Sequence, residues 1–414
     1  MKGAIRFLLE NSLFLIFGAI AGLIWANVNP ESYAHLLHLE ILENNLFYDH
    51  ALNALHPDKH VLTLHYLVND IGMALFFAIA GKEVWEATLP GGPLNDPKKA
   101  ATPLIATIGG MAGPALFYVA GAMFLGKLPE YGNGWAIPCA TDIAFSYLVA
   151  RIVFGAGHPA IPFLLLLAIA DDALGLIILA VFYPQGPIQI VFMILPVAAF
   201  IIGKIMQKKG VKSFWPYLIV PGTISWVGFA LSGLHPALGL LPIIPSMPHA
   251  HSDLGLFNWK ELGRHDTLNE FEHWWKSPVE LILGLFGLLN AGVVFEAIGD
   301  VTWLVLIGLL IGKPVGIWAC GMIAAKGLKF GFPEGIAPKD LVVIGFAAGI
   351  GFTVSLFVST VAFPAGEIQD AAKMGALASF VAALLTILAG KILGIQKVTE
   401  GPDDSGHGHG HGHG

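Results

Sequence analysis

Apolar stretches recur along nearly the whole of this 414-residue chain, each close to the roughly 20 residues that a helix needs to cross a bilayer. The pattern predicts spans at 12–27, 65–84, 101–125, 135–154, 160–183, 187–206, 214–231, 234–249, 278–298, 301–325, 340–363 and 372–394. That makes an all-α polytopic membrane protein of about twelve transmembrane helices. The longest intervals, 28–64 and 250–277, are too short for an independent core. Residues 1–395 therefore read as one transmembrane domain. The tail at 396–414 ends in DDSGHGHGHGHG, whose composition predicts disorder, with weak metal binding as the alternative.

Four polar clusters interrupt the apolar spans. Asp171 and Asp172 stand side by side inside AIPFLLLLAIADDALGLIILAVFY. A carboxylate near the membrane centre costs about 2.5–3.5 kcal/mol, so an unpaired pair costs roughly 5–7 kcal/mol. Adjacent helical positions point about 100° apart, so the two acids face different neighbours. Thr141–Asp142 follows Pro138 in GWAIPCATDIAF, where proline cannot continue a helix and a Thr-Asp pair can cap a new one. Such a break is tolerated at membrane depth only where it lines a cavity or is covered by protein. GFAAGIGFTVS, residues 345–355, is a second candidate break, in which Gly345, Gly349 and Gly351 permit unwinding and Thr353 and Ser355 can satisfy freed backbone groups. Lys313 in LLIGKPVGIW is a cation deep inside a span, and a buried ammonium needs a partner. An aspartate of the pair is the natural one.

The two suspect helices are the middle members of the triplets 3–4–5 and 10–11–12, which begin on opposite sides of the membrane. Interrupted spans at corresponding positions point to inverted repeats with a site at the midplane. Smaller signals read as lying toward the inner face: Asp70, Glu83, Glu86, His235, Glu272 and His273. Acids beside a histidine there would suit ion access or pH sensing, solvated helix-end charge being the plainer reading.

Composition agrees with the pattern: 55% hydrophobic, 12% charged, mean hydropathy +0.71. The net charge of −7 hides where the cations sit. With the N-terminus inside, sixteen of the 22 Lys and Arg fall on the inner side and three, Lys59, Lys127 and Lys373, outside. The excess places both termini in the cytoplasm. The start, with Lys2 and Arg6, carries no convincing cleavage site before Asn27–Pro30 and reads as the first span. Cys139 and Cys320 both lie in spans, so no disulfide framework is implied.

A small bare cation competes with protons for carboxylate oxygens in a dehydrated cavity. Competition for one site plus alternating access is sufficient for cation/proton exchange. If two protons leave as one Na+ binds, the exchange is electrogenic. No enzyme chemistry, cofactor or nucleic acid is called for.

GWAIPCATDIAF, LLLAIADDALG, GLLIGKPVGI and GIGFTVSLFVSTVAF, in this order and spacing, resemble the NhaA family of bacterial Na+/H+ antiporters over about residues 10–395. The family is itself a standing example of inverted-topology repeats. The resemblance implies twelve helices with the fourth and eleventh unwound and crossing, residence in the bacterial inner membrane, and a homodimer through the loop after the first helix. Carried over by motif, Asp172 is the main Na+ ligand, with Asp171 and Thr141 beside it. Asp171 is also the proton-linked partner of Lys313, while Asp142 and Thr141 balance helix ends at the crossing. Li+ is the expected second cargo.

The chain departs from the family pattern in several places. Where the family has G-L-E-V-K-R-E-L after the second span, this chain reads Gly81-Lys82-Glu83-Val84-Trp85-Glu86-Ala87-Thr88. Lys276 stands where the family often has a second His. The acid pair is followed by Ala173-Leu174-Gly175 instead of Leu-Gly-Ala, and the loop at 28–64 is longer. Three rivals come from other classes. A Na+-coupled solute symporter needs a larger polar cavity. An intramembrane aspartyl protease needs its acids on two helices in a Gly-x-Gly-Asp context. A non-transporting pH sensor leaves the acid pair without a purpose.

Overall fold

The computed structural model describes residues 13–42, 61–95, 97–249 and 266–398. Lys2, Arg6, Lys59, Lys260, Arg264 and the His/Gly-rich end of the tail lie outside the described residues. Six helices among the described residues are long and apolar enough to cross a membrane: Leu64–Ala87, Ala100–Phe124, Ala160–Phe182, Ile190–Lys208, Asp300–Gly327 and Glu367–Ile392. Two further pairs qualify jointly, Leu128–Cys139 with Ile143–Phe154 and Pro338–Ala348 with Phe352–Ala362, each bent by 54° at its break. The expected fourth and eleventh spans are thus the two that are broken.

Length and apolarity alone give six to eight spans rather than twelve, for local reasons. Leu13–Val28 has 16 residues. Thr267–Asn290 starts well before the expected 278, and Glu270, Glu272, Lys276 and Glu280 make its first half polar. The expected span at 234–249 is not a regular α-helix. Pro236, Pro242, Pro245 and Pro248 remove backbone donors there, leaving the 3-10 segments Pro236–Leu238 and Leu241–Ser246. The loop after the first span departs from the all-α expectation. It holds a short helix, Pro30–Leu37, capped by Asn29, which accepts from the Ser32 amide at 3.0 Å. A two-stranded antiparallel sheet follows, with Glu40 opposite Thr63 and Leu42 opposite Leu62.

Small residues set the closest packing. A Cβ on Gly18 would lie 1.9 Å from the Gly284 carbonyl oxygen, so Leu13–Val28 runs against Thr267–Asn290 backbone to backbone. Between Pro97–Phe124 and Asp300–Gly327 the same device appears twice: a Cβ on Gly109 would meet the Gly316 oxygen at 2.1 Å, and one on Gly113 the Gly312 oxygen at 2.2 Å. In lipid, such contacts replace the hydrophobic effect as the driving force for helix pairing. Gly308, where a Cβ would lie 2.7 Å from Pro138, sets Asp300–Gly327, the helix that carries Lys313, against the first break.

Candidate functional site

The two broken spans cross at their breaks. In the first, the 3-10 segment Gly132–Cys139 contains Pro138, Ala140 turns extended (ψ 152°), and Asp142 caps the next helix by accepting from the Phe145 amide at 3.4 Å. Asp142 also accepts from the amide of Thr353 at 3.3 Å and from its hydroxyl, so one carboxylate serves the starts of both second halves. Its own amide donates to the Ile350 carbonyl at 2.7 Å. A carboxylate at two helix N-termini is the favoured arrangement, since the peptide dipoles put partial positive charge there.

The glycines of the second break serve a purpose other than unwinding. Gly349 (φ −68°) and Gly351 (φ −102°) have backbone angles open to any residue. Closeness is what requires glycine. A Cβ on Gly349 would lie 2.7 Å from the Leu309 oxygen, and one on Gly351 3.0 Å from the Ala140 oxygen.

Asp171 and Lys313 meet beside this crossing. Lys313 Nζ donates to Asp171 Oδ2 at 2.7 Å and to the Cys139 carbonyl, with 0% and 1% of the two side chains exposed. Thr141 Oγ1 donates to the same Asp171 oxygen at 2.6 Å and has the Ala348 carbonyl at 3.1 Å as its other acceptor. A hydroxyl has one proton to give, so these two acceptors compete. The second oxygen of Asp171 is buried and has no hydrogen-bond partner.

Asp172 faces elsewhere, as the 100° divergence requires. It is half-buried and lines a cavity of about 40 Å³ with Asp171, Cys139, Phe77, Tyr183 and Phe357. That is room for roughly three water molecules. Among the described residues no three His, Cys, Asp or Glu gather as a metal cluster. The site holds one acid tied to a cation and one acid open to a small, otherwise largely apolar chamber.

Comparison with known proteins settles the family. Residues 5–390 match the family described as Na+/H+ antiporter 1. A relative from Jannaschia sp. (strain CCS1), named Na(+)/H(+) antiporter NhaA, is 54% identical over 95% of this chain and 98% of its own length. The chain belongs to the Na+/H+ antiporter 1 family. Two more relatives carry the same name: one from Desulfitobacterium hafniense (strain Y51) is 46% identical over 96% of this chain and 98% of its own length. The other, from Geobacter metallireducens, is 45% identical over 96% and 100%.

In this antiporter-family chain the residues expected at the inner mouth divide into two groups. Asp70 and Glu83 stand on one helix, Leu64–Ala87, separated by about 20 Å of rise. Asp70 is near His235, 3.8 Å from Oδ1 to Nδ1, but that nitrogen accepts from the Ala237 amide at 3.2 Å. Glu83 belongs instead to a cluster around Lys82, whose ammonium lies 2.5 Å from Glu86, 2.6 Å from Glu272 and 3.5 Å from Glu83. His273 is exposed. Sequence reasoning noted Lys82 only as a departure; its i,i+4 spacing to Glu86 was the available signal. It missed Ser146, whose buried hydroxyl donates to the Ala347 carbonyl at 2.8 Å, and also the buried amide pair Asn69–Asn290, which exchange hydrogen bonds of 3.1 and 2.9 Å between the second span and Thr267–Asn290.

Proposed function

We propose that this protein is a secondary Na+(Li+)/H+ antiporter of the bacterial inner membrane. It exchanges cytoplasmic Na+ for external protons by alternating access at Asp172. The observation that carries the reading is the division of labour in the acid pair. Asp171 is held by Lys313 and Thr141, while Asp172 lines the cavity that Asp171 also touches. A Na+ entering the cavity takes Asp172 as its principal ligand, with the partnerless oxygen of Asp171 beside it. Thr141 offers its lone pairs while its proton stays with Asp171 or Ala348. Neutralising the acids by Na+ or by protons lets the loaded site change sides, since the empty charged site is the costliest to carry. Two protons for one Na+ make the exchange electrogenic and let the membrane potential drive it.

The names of the relatives support this reading, and the cavity volume argues against the symporter. About 40 Å³ suits an ion with a few waters, whereas organic ligands occupy pockets of roughly 300–1,000 Å³. In the same reading the chain spans twelve times with both termini cytoplasmic, and helices 3–5 and 10–12 are inverted repeats. The matching 54° bends of the two broken spans favour that symmetry. A homodimer forms through the loop after the first span, where Leu39 and Ile41 are exposed.

Everted vesicles holding an acid interior test the assignment. Na+ or Li+ added outside should collapse the pH gradient, and Asp172→Asn should abolish the response. Full-rate exchange in that variant sinks the assignment. K+ added in parallel reads selectivity.

A further inference from the structure

Two serines beside the breaks form a pattern that ion ligation does not require. Ser146 lies one turn past the first break, its amide donating to the Asp142 carbonyl at 2.9 Å, and Ser355 lies one turn past the second, its amide donating to the Gly351 carbonyl at 2.8 Å. A buried helical serine or threonine commonly turns back onto the carbonyl four residues earlier, as Ser359 does onto Ser355 and Thr386 onto Ala382, both at 2.7 Å. Ser146 and Ser355 instead reach across to the other broken span. Ser146 Oγ donates to the Ala347 carbonyl at 2.8 Å, and Ser355 Oγ donates to the Ile137 carbonyl at 2.7 Å. Both side chains are fully buried. Both acceptors lie in the last turn before a break; the Ala347 carbonyl also accepts from the Ile350 amide at 3.2 Å, so the serine is its second donor. Exchange the two spans and each bond maps onto the other to within one residue.

We propose that Ser146 and Ser355 are paired positioning residues for the exchange reaction. One clamps Ile143–Phe154 to Pro338–Ala348, the other clamps Leu128–Cys139 to Phe352–Ala362, and the two clamped bodies turn about the crossing as the site changes sides. The packing matches this division, since each clamped pair of halves is also in contact. Asp142 is the pivot, because it accepts from Phe145 in one body and from Thr353 in the other.

The inference rests on the antiport reading, and each clamp touches the site by a different route. Holding Ala347 fixes the neighbouring Ala348 carbonyl, which competes with Asp171 for the Thr141 hydroxyl. Holding Ile137 fixes the strand of chain that ends in the Cys139 carbonyl, the second acceptor of Lys313. The first clamp therefore bears on Na+ affinity and the second on the lysine-linked proton step.

The test uses full-length protein in proteoliposomes, with exchange measured against Na+ concentration and pH. Ser146→Ala should raise the half-saturating Na+ concentration roughly fivefold, the size of one lost buried hydrogen bond, with a smaller change in maximal rate. Ser355→Ala should displace the pH of half-maximal exchange by about half a unit or more, a change of threefold in proton concentration. Ser→Thr at either site keeps the hydroxyl and should restore wild-type values. If either alanine variant does not reconstitute, Ser→Cys, of similar volume and with only a weak donor, takes its place and the same outcomes apply. Loss of thermal stability with unchanged Na+ dependence and pH profile would reduce the clamps to packing and overturn the proposal. Wild-type protein without exchange removes the antiport reading and this inference together, whereas wild-type exchange with unshifted serine variants removes this inference alone.

Discussion

Replacing Lys313 with methionine isolates the buried ion pair. Methionine is a flexible apolar side chain of similar length, so little cavity opens and the change is mainly one of charge and donors. Asp171 keeps the Thr141 hydroxyl at 2.6 Å but loses the ammonium at 2.7 Å, and the Cys139 carbonyl loses its donor as well. Removing one partner of a buried pair costs about 3–5 kcal/mol, whereas replacing both by apolar groups of similar volume is often near neutral. Lys313→Met should therefore lower the unfolding free energy by about 3–5 kcal/mol, a shift of two to more than three orders of magnitude in the equilibrium constant. Asp171→Leu should cost a similar amount. The double variant should recover to within about 1–2 kcal/mol of wild type, because Thr141 then donates to Ala348 instead. Asp172→Asn, which touches the cavity and not the cation, should stay within about 1 kcal/mol. Unfolding in mixed micelles, followed by fluorescence of the ten tryptophans, reads all four proteins. A Lys313→Met protein within about 1 kcal/mol of wild type, or a double variant that loses the sum of the singles, refutes the reasoning.

Gly316→Ala puts a Cβ 1.9 Å from the Gly109 carbonyl oxygen, a backbone atom that cannot step aside. It should cost about 1–3 kcal/mol and slow exchange by moving Lys313, while Gly327→Ala, whose nearest neighbour is at 3.7 Å, is the control; thermal midpoints and exchange rates separate the two. Lys82→Met strands Glu83, Glu86 and Glu272 and should destabilise by about 2–4 kcal/mol, whereas Glu272→Gln, which leaves Glu86 at 2.5 Å, should lose less than about 1.5 kcal/mol. Equal losses in thermal unfolding would deny Lys82 its place at the centre of the cluster. Lys127, exposed at a helix end, is held above its ordinary value by its hydrogen bonds to Tyr131 and then Asp300. A raised folded value contributes fully below the unfolded one, about 10.4, and is lost only above it. Lys127→Met should therefore leave the pH dependence of stability between pH 6 and pH 9 unchanged, and a new slope in that window counts against the assignment.

What the sequence made legible was whatever a single helix must declare for itself. A carboxylate pair or an ammonium in an apolar run is visible as a cost, so Asp171, Asp172 and Lys313 announce a site before any packing is known. Pro138 and Thr141–Asp142 announce a break because the lost donor and the new cap are local matters. Quantities set between helices were not legible. Gly349 and Gly351 read as freedom for the backbone, yet their φ angles are ordinary and close neighbours exclude a side chain, the Leu309 carbonyl at Gly349 and the crossing Ala140 carbonyl at Gly351. Asp70 and Glu83 both read as lying toward the inner face, yet about 20 Å of rise along one helix separates them, Asp70 standing near His235 and Glu83 near Lys82. The prolines at 236–248 were read through their apolar neighbours, although each removes a backbone donor, and a spanning helix was expected where 3-10 segments stand. Ser146 escaped because a serine in a helix carries no cost that advertises its partner. Its meaning depends on the Ala347 carbonyl, 201 residues away, and on the equivalent bond made by Ser355. Ser355 was legible as a hydroxyl able to satisfy a freed backbone group, and it does so on the Ile137 carbonyl; that Ser146 makes the matching bond is a relation between spans, which neither span declares alone.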